Sequence, residues 1–566
     1  MFFIFLFILV ITTEKSSGVC RIDNVTDSQG ENVKRKQYIH CQFENISSNL
    51  YTKVKPFYDY YKSDTIEWLE ISDTDNRLLS SGALGPLPVM DLRIHNANIH
   101  EIEPNAFSGI DKYLGKLSLK NNKLSSIKDY YFKHLFLIYL DLSFNNITSI
   151  SENSFLENRY LGTLILKNNL LSVLPPNLFP RSNHWRITHL DVSFNKLVTL
   201  DSKIFHNLWS LVELRINDNY LNHLDENIFS ENDDLNYLFI NNNRFRGFHN
   251  LTLPKSMNTV NASNNLIAFF NLRKHTFINT LDLSSNGISS TKDLSFTNAT
   301  VSELLLDNNN LESTHDTFIT YFPSLWHLSL TNNKLTQINH FKNSTKLTRL
   351  NLAKNNLCTN DLLNLPSSLN ELLVSFNNLT EIAFDSLQGL KFLKILHLEH
   401  NQIQKIALGA FRNLGQLIEL DLSNNKISVL GIGVFGGLNS LKHLDLSENE
   451  LQQISNAFYN LRALRIINLS KTKVKYNTVE TILLQLPNVE QVGLAENGWA
   501  CSHLINITTK FGKKVIDMGK YNITNVDGVA CDYEETPEHN KQKSTNLSRF
   551  EADYHGLFKF QICFMC

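Results

Sequence analysis

The stretches LGKLSLKNNKL (114–124), LIYLDLSFNNI (137–147) and LGTLILKNNLL (161–171) decide the fold, because they are the same eleven-residue pattern, LxxLxLxxNxL, written three times in succession. The pattern continues as ITHLDVSFNKL from Ile187, LVELRINDNYL from Leu211, LWHLSLTNNKL from Leu325, LTRLNLAKNNL from Leu347, LIELDLSNNKI from Leu417 and LKHLDLSENEL from Leu441. Degenerate copies fill the intervals, giving eighteen units whose first apolar positions run from Val89 to Val489 at spacings of 21 to 26 residues. An irregular further unit around Ile66, Leu69 and Ile71 opens the series.

Each position of the pattern has a physical task. Apolar residues at positions one, four and six point inward from a short strand and the turn before it, so that neighbouring coils bury a core no single coil could build. Position nine is Asn in sixteen of the eighteen units, from Asn122 to Asn497, with Ala97 and Thr472 as the exceptions. A buried amide there can serve backbone groups of its own coil and the adjacent one, which makes this Asn structural and not a ligand. Phe stands ten residues after position nine at Phe107, Phe132, Phe155, Phe179, Phe205 and Phe229, and again at Phe411 and Phe435. This predicts an aromatic spine on the convex side that lapses between Phe229 and Phe318, where the repeats shorten and the curvature should change.

The chain is thus expected to be an α/β solenoid: a leucine-rich-repeat horseshoe with a parallel concave β-sheet of about 18 to 19 coils and disulfide-bearing caps at both ends. The expected parts are a signal peptide over 1–18, an N-terminal cap over 19–65, the solenoid over 66–499, and a C-terminal cysteine-containing cap and tail over 500–566.

The opening MFFIFLFILVIT is an apolar run followed by small polar residues, which is how a secretory signal reads. It is shorter than the roughly twenty residues a membrane span needs, and no other segment approaches that length, so a secreted, extracellular protein is expected. Asn-x-Ser/Thr sequons at Asn24, Asn45, Asn146, Asn250, Asn261, Asn298, Asn343, Asn378, Asn468, Asn506, Asn522 and Asn546 are glycosylation candidates. Asn261 and Asn468 lie on the concave columns, where glycans would obstruct that face. In an oxidising compartment the cysteines read as disulfides. Cys20 pairs most simply with Cys41, and Cys501, Cys531, Cys563 and Cys566 make two bridges whose connectivity spacing does not fix. Cys358 is left over as a buried unpaired thiol just behind the core Leu357, with a bridge to another chain as the other reading.

Lys and Arg number 53 against 55 Asp and Glu, so there is no single-sign field to draw in nucleic acid or an anionic membrane. No nucleophile elbow, zinc-protease motif, phosphate loop or dinucleotide fingerprint is present, and the CxxC at Cys563 lacks a second ligand pair. His189, His327, His397 and His443 recur near concave positions without a carboxylate pattern that would mark catalysis or metal. No catalytic residue, metal site or cofactor is expected. Binding is left to the surface, and one concave patch stands out. Tyr139, Ile165, Glu213, Arg215, Tyr237 and Phe239 put aromatic, apolar and Arg side chains outward on adjacent coils, the composition of interface hot spots.

The ends of the chain carry a further resemblance. The segment from Cys20-RIDN through YIH-Cys41, the weak coil IEWLEIS, and VMDLRIHNANIHEIEPNAF resemble the start of the mosquito leucine-rich immune proteins. NGWACSHLINI with the later cysteines, and the central coils MNTVNASNNL and INTLDLSSNGI, are similar to that family as well. The resemblance implies an innate-immune protein of insect haemolymph whose partner is a protein or pathogen surface, including a thioester-containing complement-like protein. Long members of the family carry a coiled coil after the cap, and this sequence has no heptads, so it resembles a coil-less member; its final pair is spaced Cys563-Phe-Met-Cys566 where the family has adjacent cysteines. A cell-adhesion or developmental-signalling receptor-type ectodomain is the alternative.

Overall fold

The computed structural model describes residues 65–511 apart from 73–74, 182–184, 274, 296–298, 316–317, 339–340 and 455; outside that span it describes 8–9, 19–25, 36–42, 51, 54–55, 525–526 and 529–530. Most of the expected signal segment, most of the C-terminal tail with Cys531, Cys563 and Cys566, and the sequons at Asn45, Asn298, Asn522 and Asn546 lie outside the described residues. The chain forms two compact units, 1–288 with 293–305, and 289–292 with 306–566.

In the first unit the strands Val19–Val25 and Lys36–Gln42 form an antiparallel hairpin with Cys20 opposite Cys41. Lys36–Gln42 then pairs in parallel with Ile66–Ser72, which pairs with Val89–His95. One short strand per coil follows in unbroken parallel register: Lys116–Ser118, Tyr139–Asp141, Thr163–Ile165, His189–Asp191, Glu213–Arg215 and Tyr237–Phe239. Ser256–Asn261, Thr276–Asp282 and Ala299–Leu305 close this unit's sheet. The second unit repeats the scheme from His327–Ser329 to Gln491–Gly493. Positions one, four and six are the core, as Leu137, Leu140 and Leu142 illustrate with no exposed surface.

The Asn ladder does what its spacing predicts. Asn145 Nδ2 donates to the carbonyls of Leu142 and, one coil back, Leu119, both at 3.0 Å, while its Oδ1 accepts from the Leu124 amide at 3.0 Å. Asn169, Asn195, Asn219 and Asn243 repeat the set. Where Thr472 replaces Asn, its hydroxyl still reaches the Leu469 carbonyl at 2.7 Å. Each amide thus couples two coils by hydrogen bonds in a space that excludes water.

One position that the sequence pattern left unassigned is equally regular. Position eight, where the chain leaves the strand, is left-handed in every one of the eighteen coils, with φ between 50° and 60°. Eight of these residues are Asn, the side chain that tolerates this region best after Gly.

The aromatic spine forms as expected, with Phe132 on Phe155, Phe205 on Phe229 and Phe411 on Phe435 stacked at 6.0 Å, and it extends to Phe458. In the short repeats it is replaced by a second parallel sheet of Gly247–Leu251, Phe269–Leu272 and Leu294–Ser295. These coils, two or three residues shorter than their neighbours, span the convex side in extended backbone, the conformation with the greatest rise per residue. Elsewhere the convex arms are turns, two-residue strands and short 3-10 helices such as Phe318–Tyr321, Phe341–Asn343 and Thr359–Asn364. The two longest described helices are Tyr476–Gln485 and Cys501–Phe511, beside which Trp499 donates its indole N–H to the Val474 carbonyl at 2.8 Å.

Candidate binding surface on the concave sheet of the first unit

In each three-residue strand the middle residue is core and its two neighbours point to the concave side, so two parallel columns run across the coils. One column reads Asp91, Lys116, Tyr139, Thr163, His189, Glu213, Tyr237, and the other Arg93, Ser118, Asp141, Ile165, Asp191, Arg215, Phe239. Much of this surface is committed to the fold. Asp141, Asp191 and Asp282 each accept the amide two residues on, from Ser143, Ser193 and Ser284 at 2.9 Å, which fastens the strand to its left-handed turn. The same bond recurs in the second unit at Asp421 and Asp445.

The six patch residues predicted from sequence fall into two groups. Glu213, Arg215, Tyr237 and Phe239 lie on adjacent strands, all half-buried. The Arg215 guanidinium carbon is 4.1 Å from the centre of the Phe239 ring, and its Nε pairs with Glu213 on its own strand. His189 Nε2 is 4.0 Å from the far side of Glu213. Ile165, His189, Asp191, Glu213 and Arg215 line a shallow depression of about 260 Å³, so Ile165 joins this group from two strands away. The arrangement offers a flat aromatic face beside a cation held in place by a carboxylate.

Tyr139 stands apart, in a second constellation that the sequence reading passed over. Arg93 donates through Nε and Nη2 to Asp91 at 3.2 and 3.0 Å and lies 4.6 Å over the ring of Trp68. The bond to Asp91 holds the guanidinium above its ordinary value. His95 meets the Ser118 hydroxyl at 2.8 Å and Glu70 at 3.7 Å. Burial pushes the His95 imidazole below its ordinary value against the pull of Glu70, and burial raises the Tyr139 phenol. Asp91, Arg93, His95, Lys116, Tyr139 and Asp141 border a depression of about 350 Å³. The available signal was Trp68 in IEWLEIS, which sits in register with Asp91.

In the second unit His397 Nε2 is 3.0 Å from Glu419 and its Nδ1 is 3.9 Å from Glu399. Burial raises the carboxyls of Glu399 and Asp445. Among the described residues no three His, Cys, Asp or Glu side chains group as a metal site would require. No helix among them is long and apolar enough to cross a membrane.

The modification candidates separate as well. Asn146, Asn250, Asn343 and Asn506 are exposed, and Asn261 and Asn378 are half-buried. Asn468 is only 8% exposed, and its Nδ2 donates to Asp445 on the neighbouring strand of the same column at 2.9 Å. Nothing is described of the Asn24 side chain. Cys41, Cys358 and Cys501 are each disulfide-bonded, which corrects the reading of Cys358 as the unpaired thiol. The turn after Leu357 leaves Cys358 half-exposed and within reach of a partner, where its place behind a core leucine suggested burial.

The leucine rich repeat family description matches residues 112–171, 186–245, 299–357, 367–427 and 415–474. Tsukushi of Gallus gallus is 37% identical over 92 residues, 16% of this chain and 24% of that protein; Tsukushi-A of Xenopus laevis is 38% identical over 84 residues, 14% and 23%. The chain thus spans about a quarter of the length of these curated relatives. Among solved structures, Toll in the glycosylated Toll–Spätzle complex of Drosophila aligns with a TM-score of 0.62 at 18% identity, over 93% of this chain and 73% of that one. A leucine-rich-repeat protein of Leptospira interrogans, LIC12759, aligns with a TM-score of 0.52 at 24% identity, over 69% and 92%. At these identities the structural likeness concerns the fold.

Proposed function

The chain belongs to the leucine-rich-repeat family, and from that premise we propose that it is a secreted binding protein of innate immunity that engages a macromolecular partner through the concave face of its first unit. The observation that carries the binding reading is the cluster of Glu213, Arg215, Tyr237 and Phe239. A half-buried aromatic pair with an oriented Arg is the composition of an interface hot spot, in which rigid rings supply contact area at small entropic cost. The repeats hold it on rigid strands, so little ordering is needed on binding.

The immune setting rests on the resemblance of both chain ends to the mosquito leucine-rich immune proteins. In that reading the partner is a pathogen-surface ligand or a thioester-containing complement-like protein of haemolymph. Toll, described as a hub in development and innate immunity, shares the solenoid fold, which suits either an immune or a developmental setting.

The test is affinity capture from insect haemolymph, and on microbial cells, with the secreted full chain and with a R215A/F239A variant. The reading expects capture of a complement-like protein or adhesion to microbes by the parent, with at least a tenfold loss in the variant, about 1.4 kcal/mol. Equal capture by both proteins would move the site elsewhere. Capture of neither ligand class, with adhesion to neuronal or epithelial surfaces instead, would favour the developmental alternative.

A further inference from the structure

The chain has twelve Asn-x-Ser/Thr sequons, and in six of them Phe stands two residues before the Asn: Phe43, Phe144, Phe248, Phe296, Phe341 and Phe376. With 36 Phe among 566 residues, fewer than one would fall there by chance. Spacing alone does not decide the matter, because Phe248 and Phe341 are core side chains and Phe43 and Phe296 lie outside the described residues. Phe144 and Phe376 are different: each is 43% exposed.

Both stand at position eight, with φ of 56° and 55°, where eight other coils use Asn. A bulky aromatic side chain is a strained choice in this region, and strain of this kind persists where something else over-determines it. In both coils position nine is the buried ladder amide, Asn145 or Asn377, so Phe and the sequon Asn flank an inward side chain and face outward from the same turn. The backbone of that turn is fastened to the preceding coil: Asn146 N donates to the Leu124 carbonyl and Asn378 N to the Leu357 carbonyl, both at 3.0 Å. Only two coils carry a sequon at position ten, and both carry Phe at position eight.

We infer that Phe144 and Phe376 are aromatic shelves for the first sugar of N-linked glycans on Asn146 and Asn378. A pyranose has an apolar face of axial C–H groups that packs on an aromatic ring, and an aromatic two residues away on a rigid turn offers that face at little ordering cost. Attachment joins Asn Nδ2 to the anomeric carbon of N-acetylglucosamine, breaks that carbon's bond to the diphosphate of a lipid-linked oligosaccharide donor, and releases one proton from Nδ2. Lys120 Nζ lies 5.3 Å from the Phe144 ring on a flexible stem that the sugar can displace; at Phe376 one face is already taken by His400, stacked at 4.0 Å, so the sugar uses the other face, with Lys354 Nζ 5.7 Å from the ring on a stem free to swing. Phe194 is the internal control, having φ of 54° and 43% exposure but Lys196 where the other two coils have the sequon Asn.

The inference depends on secretion, which belongs to the proposed function, and the experiment separates the two. The full chain is secreted from insect cells as the parent and as F144N, F376N, F194N, N146Q and N378Q, none of which creates a sequon. Glycopeptide mass spectrometry reads occupancy at each Asn. Hydrogen exchange reads the amides of 144–148 and 376–380 before glycosidase treatment, after trimming to the first sugar, and after complete removal. Occupied Asn146 and Asn378 are expected, with severalfold faster exchange on complete removal but not on trimming. F144N and F376N are expected to abolish that difference at their own turns, F194N to leave it intact, and N146Q and N378Q to show the fast rate throughout. If exchange in F144N and F376N responds to glycan removal as the parent does, the shelf is overturned. Unoccupied Asn146 and Asn378 beside occupied Asn250, Asn343 or Asn506 overturn it and spare secretion; a chain bearing no glycan overturns both readings.

Discussion

The Arg215 guanidinium lies 4.1 Å over the Phe239 ring on the neighbouring strand, with Glu213 pairing to its Nε. A cation on an aromatic face contributes about 0.5–1 kcal/mol at an exposed site, too little to hold a solenoid together. The pair is therefore dispensable for folding and available for recognition. R215A and F239A are expected to change unfolding free energy by less than about 1 kcal/mol while weakening partner capture tenfold or more. Urea unfolding and surface capture on the same protein check this; a large loss of stability would make the pair a packing feature.

Asn219, in the same coil as Arg215, should behave in the opposite way. Its Nδ2 donates to the Val192 and Ile216 carbonyls at 3.1 Å and its Oδ1 accepts from Leu197 N at 3.0 Å. N219A strands a buried amide and two carbonyls, so a loss of about 2–3 kcal/mol is expected in urea unfolding. A loss below about 0.5 kcal/mol would contradict the ladder's role.

Phe205 is fully buried and stacked on Phe229 at 6.0 Å. F205A opens a cavity in the spine and is expected to cost about 3–5 kcal/mol, whereas F136A, on a side chain 60% exposed, should cost under about 0.5. Denaturation midpoints of the two variants side by side decide the point.

His95 carries a pH dependence whose sign follows from its surroundings. Burial lowers its folded pKa below the ordinary 6.5, with Glu70 opposing that shift. The unfolded chain then binds the proton more readily. The contribution is fully present above pH 6.5 and is lost as pH falls through the folded value. The first unit should lose more stability between pH 7.5 and pH 5 in the parent than in H95Q, read as the difference in urea midpoints. Parallel pH profiles would show that the group does not titrate between the two states.

Gly437 has φ of 102°, and a Cβ there would stand 2.5 Å from the Arg412 Cα. G437A is expected to cost about 1–3 kcal/mol, while G431A, with nothing within 4 Å, should be neutral or slightly stabilising. Thermal unfolding distinguishes the pair, and equal effects would refute the clash.

The periodic part of this protein was legible in the order of its residues. Leucine spacing, the Asn at position nine and the Phe ten residues later each serve the coil they belong to and the one beside it, so their physics is local and repeats with the sequence. They fixed the parallel register, the core and the aromatic spine. Position eight was equally regular in backbone, but its residues vary from Asn to Phe to Glu, so composition carried no signal of its left-handed turn. The tertiary structure decided what depends on neighbours across coils. It divided the predicted patch by placing Tyr139 with Asp91 and Arg93 around one depression, and it paired Asn468 with Asp445 on the neighbouring strand. It also brought Cys358 to a position where it is bridged and gave the short coils a second sheet. Each of these outcomes rests on which side chain of an adjacent coil occupies the space alongside, and a one-dimensional pattern does not contain that information.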